Sequence, residues 1–112
     1  MIAGIYSARF KVHDYQLGLG IVVIDGHSLH GGDYDYVYKG TYRLEEQTVS
    51  ASVEVKNYSG KPNSVLGPIA AYRLNLTGVV APHGFSLSGQ VIEQPDLIVR
   101  IELIKIGELV DR

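Results

Sequence analysis

The densest group of side chains able to do chemistry lies between residues 25 and 33. Asp25, His27, His30 and Asp33 supply the carboxylate and imidazole groups that bind divalent metals. In a β-strand, however, side chains an odd number of positions apart point to opposite faces, so His27 and His30 would diverge. The segment is better explained as a polar hairpin, and we expect neither a metal site nor a cofactor.

A nucleophilic site is not expected either. His13, Asp14, Ser28 and His83 offer the residue types of a hydrolase triad, but no G-x-S-x-G elbow or comparable motif accompanies them. The chain also contains no cysteine, which excludes disulfides and thiolate chemistry. We therefore expect a protein that is not an enzyme.

Tyrosines form the most regular aromatic pattern in the chain. Tyr34, Tyr36 and Tyr38 lie on one face of a predicted strand, and Tyr42 continues the row. The pattern is typical of aromatic packing inside a barrel. The other interpretation is a pocket or a contact surface, because tyrosine combines apolar area with a hydroxyl group. The sequence leaves both interpretations open.

The elements that must position these groups are strands. Val49, Ala51, Val53 and Val55 alternate with polar residues, a period of two that predicts a half-buried strand. The predicted strands span residues 3–12, 17–25, 28–32, 34–44, 48–57, 70–79, 84–92 and 97–106, and residues 62–69 allow one helical turn. Strands in series with short connections predict an all-β fold, an eight-stranded antiparallel up-and-down barrel, in a single domain over residues 1–112.

Composition excludes several classes of function. The net charge is −2 and the basic residues form no run, so we expect no direct binding to nucleic acid. The most apolar run, residues 19–24, is far shorter than the ~20 residues that a membrane-spanning helix needs. The N-terminus lacks a charged region followed by a long apolar one, so we expect a cytoplasmic protein that does not bind a membrane. We also expect a bacterial source, which the N-terminus does not itself indicate.

Two predicted strands are apolar on both faces. Ile98, Ile104 and Ile106 share one face of the last strand, and the residues between them give it a second apolar face. The second strand repeats this, with Leu19 and Ile21 on one face. The outer face of a small barrel normally contacts water, so the pattern favours a subunit interface over a cover by the 60–69 loop, and a symmetric homodimer is the commonest form.

Short glycine-rich motifs resemble one known family. Gly4-Ile5-Tyr6-Ser7, the segment 18–24, and Gly31-Gly32-Asp33 followed by Tyr38-Lys39-Gly40 are similar to the GrlR-like group, which is named for a negative regulator of type III secretion genes. The similarity extends loosely over most of the chain. It implies a lipocalin-like eight-stranded barrel that forms a homodimer.

The resemblance also implies a mode of action. The family's namesake restrains a transcriptional activator by binding it through a short acidic surface loop. The matching segment here is Leu44-Glu45-Glu46-Gln47, so Glu45 and Glu46 are the expected partner-binding residues.

A carrier for a small apolar ligand is the alternative function. An eight-stranded barrel is wide enough to hold either packed side chains or one small ligand. The candidate pocket residues are Tyr6, Phe10, Tyr72, Leu74, Phe85 and Leu87.

Overall fold

The computed structural model describes residues 2–12, 15–61 and 69–110, without the side chains of residues 15–17. The regular elements of this part of the chain are strands. They are β1 (Gly4–Val12), β2 (Tyr15–Asp25), β3 (Ser28–Gly32), β4 (Tyr36–Glu45), β5 (Thr48–Asn57), β6 (Ala71–Ala81), β7 (Gly84–Val91) and β8 (Gln94–Gly107). His13, Asp14 and the helical turn expected at 62–69, apart from Ile69, lie outside the described residues.

The strands form a closed barrel in sequence order. Each strand pairs antiparallel with the next, and β8 pairs antiparallel with β1, where Ser7 lies opposite Ile104. This topology confirms the predicted fold class. Closure leaves none of the eight described strands with an unpaired edge, which removes the template for edge-to-edge aggregation.

Tight turns join most of the neighbouring strands. Gly26 adopts a φ of 64° in the two-residue turn between β2 and β3, a conformation that glycine adopts without a steric penalty. Glu46 adopts a φ of 58° in the equivalent turn between β4 and β5, where any residue with a Cβ is strained. Both turns lie at the barrel end that also holds the N-terminus, because the strands alternate in direction.

Period-two alternation builds the core. On β5, Val49, Ala51, Val53 and Val55 are buried and the residues between them are exposed, which confirms the predicted pattern. The other strands contribute inward side chains in the same way, including Leu74, Leu76, Leu87 and Ile101. The apolar interior therefore comes from every side of the barrel.

The outer surface differs from one side of the barrel to the other. On β5, β6 and β7 the outward positions carry mainly small hydroxyl and amide side chains, such as Ser50, Thr77 and Ser88, which lie in adjacent cross-strand positions. On β8, β1 and β2 several outward positions carry aliphatic side chains. This division separates the candidate contact surface from the rest of the exterior.

Candidate functional site

The interior of the barrel is tightly packed around the predicted pocket residues. Tyr6, Leu74, Phe85 and Leu87 are buried in the core, and Phe10 and Tyr72 are half-buried against it. The cavity between the central side chains has a volume of about 40 Å³ and an apolar lining. Ligand pockets typically measure about 300–1,000 Å³, so this cavity is too small for a drug-sized ligand.

The tyrosine row divides into a packed part and an exposed part. Tyr36 and Tyr38 are buried, and Tyr42 is half-buried with its hydroxyl donating to the carbonyl oxygen of Gly26. Tyr34, by contrast, is 92% exposed and lies in the turn before β4 rather than on the strand. Aromatic packing therefore explains most of the row, and Tyr34 belongs to the exterior.

Asp33 fixes the shape of the turn before β4, in which Tyr34 no longer follows the alternation of inward and outward side chains. Its Oδ1 accepts hydrogen bonds from the backbone N–H groups of Asp35 and Tyr36 at 2.9 and 2.8 Å, the geometry of an Asx turn. Its Oδ2 accepts a hydrogen bond from the hydroxyl of Tyr38. One carboxylate thus fixes the backbone that presents Tyr34 to solvent.

Asn57 at the end of β5 and Tyr58 directly after it hold the same turn from outside. The hydroxyl of Tyr58 lies 2.8 Å from the carbonyl oxygens of both Asp33 and Tyr34, so its one proton is shared between them in a bifurcated hydrogen bond. The backbone N–H of Tyr58 and the side-chain amide of Asn57 donate to the carbonyl oxygen of Asp35 at 2.9 and 3.0 Å. Two exposed tyrosines are therefore held close together by a hydrogen-bonded frame.

Burial and hydrogen bonding raise the pKa of the core phenols. Burial is the largest cause for Tyr38, whose pKa is raised further by its hydrogen bond to Asp33 and by the charge of that carboxylate. Burial likewise raises the pKa of Tyr72, which lies close to Tyr36. Both groups therefore stay neutral across the physiological range, which suits a structural role as hydrogen-bond donors and packing groups.

Aliphatic side chains on three adjacent strands form one continuous surface, which we call the outer apolar face. Ile21 on β2 and Ile104 on β8 both lie opposite Ser7 of β1. The face consists of Ile5, Leu19, Ile21, Val23, Ile104 and Ile106. Leu19 is 62% exposed and Ile106 is 57% exposed, so much of this surface contacts water.

The outer apolar face continues into a groove, which we call the tyrosine groove. Leu19 and Ile21 form one wall, and Tyr34 and Tyr58 form the other, with a volume of about 490 Å³. Gly20 and Gly32 contribute backbone to its lining. Because tyrosine is enriched in the residues that dominate binding energy at protein interfaces, the groove extends the apolar face into a candidate contact site.

The three predicted interface residues of β8 do not share one patch. Ile104 and Ile106 belong to the outer apolar face, but Ile98 lies opposite Gln90 on β7, towards the other end of the strand. Arg100 and Glu102 occupy the outward positions between Ile98 and Ile104. Six residues of strand separate those isoleucines by about 20 Å. Ile98 is 42% exposed, but it is isolated from the larger apolar surface.

The predicted partner-binding glutamates lie in the turn between β4 and β5. Both are exposed, and Glu45 lies 3.7 Å from the Nη1 of Arg43, which offsets part of its charge. Glu46 carries its carboxylate on a backbone with positive φ. Strained residues of this kind are concentrated at functional sites, which keeps the loop a candidate contact point.

The polar residues of the β2–β3 hairpin do not form a reactive cluster. His27 lies in the turn beside Tyr42, and His30 is exposed on β3. The hydroxyl of Ser28 donates to the carbonyl oxygen of Asp25 at 2.9 Å. The described part of the chain holds no group of three His, Asp or Glu side chains arranged to bind a metal ion. Nor does it hold a helix that is long and apolar enough to cross a membrane.

Sequence reasoning identified the aliphatic half of the site but left the aromatic half undecided. The exposed face of β2 follows from its period-two pattern. The position of Tyr34 does not, because the row of alternating tyrosines hides the turn that Asp33 creates. The Asp-x-Asp spacing at Asp33 and Asp35 is the available signal, since an aspartate can accept hydrogen bonds from N–H groups that follow it.

The fold and site define a small antiparallel β-barrel with a packed centre and an exposed apolar surface on its exterior. No family model matches the chain, and no curated protein matches it either.

Proposed function

We propose that this protein is a non-enzymatic, homodimeric β-barrel that acts through protein–protein contacts. The observation that carries the proposal is the outer apolar face and the tyrosine groove beside it, which together expose aliphatic and aromatic side chains over three strands and two turns. Exposed apolar patches larger than a few hundred Å² mark interaction sites in soluble proteins. The small central cavity leaves little room for a ligand inside the barrel, which favours binding on the exterior.

The size of the surface fits a second copy of the chain. A partner would cover the exposed residues of the outer apolar face and the tyrosine groove, and also Val37 on β4, which lies opposite Gly32 beside the groove. These residues are Leu19, Ile21, Tyr34, Val37, Tyr58, Ile104 and Ile106. Their exposed fractions correspond to on the order of 800 Å², which equals the contribution of one partner to a standard protein interface. A two-fold axis would place this patch against itself, which is the usual arrangement in homodimers.

The mass of the protein in solution, measured by sedimentation equilibrium, tests the dimer. Ile21→Asp places a charge at the centre of the patch, and we expect it to weaken dimerisation by at least about 30-fold. Val79→Asp is the matched control, because Val79 is 53% exposed against 44% for Ile21 but lies between Thr48 and Ser86 on the polar side. A monomeric wild-type protein, or equal effects of the two variants, would contradict the proposal.

We further propose a regulatory role of the kind that the GrlR-like resemblance implies. In that role the cytoplasmic dimer restrains a transcriptional regulator protein, and Glu45 and Glu46 contact a basic surface on it. Exposed charges contribute little to folding, so replacing both residues with lysine should leave the free energy of unfolding within about 1 kcal/mol of the wild type. The same change should abolish capture of the partner, because rim charges steer association.

A pull-down from a bacterial lysate with wild-type and doubly reversed bait tests this role. Recovery of a helix-turn-helix regulator by the wild type alone is the expected result. Equal recovery by both baits would exclude Glu45 and Glu46 as the contact. The carrier alternative has no comparable support, because a cavity of about 40 Å³ holds little more than one water-sized group.

A further inference from the structure

Closure of the barrel brings together basic residues that are scattered along the sequence. Arg9 and Lys11 lie on β1, and Arg100 lies on β8, directly opposite Lys11. Their outward side chains line a groove of about 370 Å³ on the exterior of β6, β7, β8 and β1. A volume in this range accommodates a small ligand.

The charges in the groove are not balanced internally. Ion pairs among the described residues join Lys39 to Glu54, Arg43 to Glu45, Arg73 to Glu93 and Lys105 to Glu108. The cations of the groove belong to none of these pairs. Glu102, which lies opposite Arg9, is the carboxylate in the lining, so three positive charges face one negative charge. Like charges directly opposite on paired strands are destabilising, so Lys11 and Arg100 favour an anion between them.

Hydroxyl groups complete the lining on the other side. Ser88 lies opposite Arg100, and Thr77 lies opposite Ser88 on the next strand. Ser86 lies opposite Glu102. Guanidinium groups bind phosphate oxygens through paired N–H donors, and hydroxyls supply further donors to the same oxygens. This combination of donors suits a tetrahedral oxyanion.

We propose that this groove binds a small ligand through a doubly charged phosphate group. Arg100 and Lys11 contact the phosphate from β8 and β1, Arg9 supplies a third positive charge, and Ser88 donates a hydrogen bond from β7. The site lies beside the outer apolar face, because Arg9 is also opposite Leu19, but it does not depend on dimerisation. Its ligand is a free phosphate or a phosphate monoester.

Titration of the ¹⁵N-labelled full chain with inorganic phosphate, at an ionic strength held constant with sodium chloride, tests the site. We expect saturable amide shifts centred on Lys11, Ser88 and Arg100. Arg100→Gln should weaken binding about tenfold, the loss expected for a charge-assisted hydrogen bond. Lys56→Gln removes the same charge from β5. Lys56 lies opposite Ala71 on β6, six residues and about 20 Å along the strand from Thr77 of the groove, so this change should leave affinity unchanged.

A variant at Glu102 should change the affinity for phosphate in the opposite direction. Glu102→Gln removes the carboxylate from the groove and should strengthen phosphate binding several-fold, whereas Glu54→Gln makes the same charge change on β5 and should not. A repeat with adenosine 5′-monophosphate distinguishes the sources: equal affinity indicates a site for the oxyanion alone, and higher affinity indicates a monoester. Shifts that do not saturate, or equal effects of the variants and their controls, would overturn the proposal.

Discussion

Glu46 offers a direct test of the acidic turn, because its backbone carries an identifiable strain. It adopts a φ of 58°, and Gln47, the other residue of this two-residue turn, does not have a positive φ. An L-residue with a side chain pays a steric penalty in this region because its Cβ approaches the following carbonyl oxygen. Glycine has no Cβ and avoids the contact, so Glu46→Gly should stabilise the protein.

The magnitude follows from two opposing terms. Removing the Cβ from a left-handed residue relieves about 1–2 kcal/mol. Glycine also makes the unfolded chain more flexible, which costs about 0.5–1 kcal/mol. The net expectation is a gain between about 0 and 1.5 kcal/mol in the free energy of unfolding, and the central value of about 0.75 kcal/mol corresponds to a rise in Tm of roughly 2–5 °C for a domain of this size.

Gln47→Gly is the matched control, since it adds the flexibility without relieving strain. It should lower the free energy of unfolding by about 0.5–1 kcal/mol. Urea denaturation and thermal melting of the two variants beside the wild type measure both effects. If Glu46→Gly were no more stable than Gln47→Gly, the turn would not be strained, and the structural support for a functional role of Glu46 would disappear.

Two further predictions concern the barrel itself. The raised pKa values of Tyr38 and Tyr72 mean that the unfolded chain loses these protons first, above a pH of about 10, while the folded chain keeps them. Stability should therefore fall as pH rises above that value, by about 1.4 kcal/mol per pH unit for each group, and Tyr72→Phe should make the fall shallower in denaturation series at pH 9 to 11.5. A Cβ on Gly40 would collide with the carbonyl oxygen of Ser52 on β5. Gly40→Ala should thus lower the free energy of unfolding by about 2–4 kcal/mol. By contrast, Gly107→Ala, whose Cβ would lie 3.7 Å from its nearest neighbour, should change it by less than about 1 kcal/mol; equal losses would show that the strands can separate at Gly40.

The local sequence pattern was sufficient to predict the strands, because side chains along a strand alternate between the buried and the exposed face every two residues. For example, the alternation of apolar and polar residues predicts that Val53 and Leu74 point inward. In the structure both side chains are buried, and the two residues pair across β5 and β6. Short polar turns then leave few topologies open, since consecutive antiparallel strands pair with one another. The barrel could therefore be predicted without knowledge of any relative.

Long-range geometry was not available from the sequence. Tyr34 and Tyr58 meet Leu19 only because a hydrogen-bonded turn and the end of β5 come together beside β2. Arg9 and Arg100 share a groove only because β8 closes on β1. Period-two patterns identify the face on which a side chain lies, but not which other side chains on that face become its neighbours across the closure.

The proposed contact sites lie on the exterior of the barrel because its interior is packed. Tyrosines and aliphatic side chains from all eight strands converge on the centre and leave a cavity of about 40 Å³. Leu19 is 62% exposed and Tyr34 is 92% exposed, and an apolar surface of this kind lowers solubility. The outward positions of β5, β6 and β7, by contrast, carry mainly hydroxyl and amide side chains that water solvates well. Because the apolar residues are gathered on adjacent strands instead of scattered singly, they are better explained by a partner than by chance exposure. The same reasoning applies to the cations of Arg9, Lys11 and Arg100, since the proposed anion would relieve their mutual repulsion.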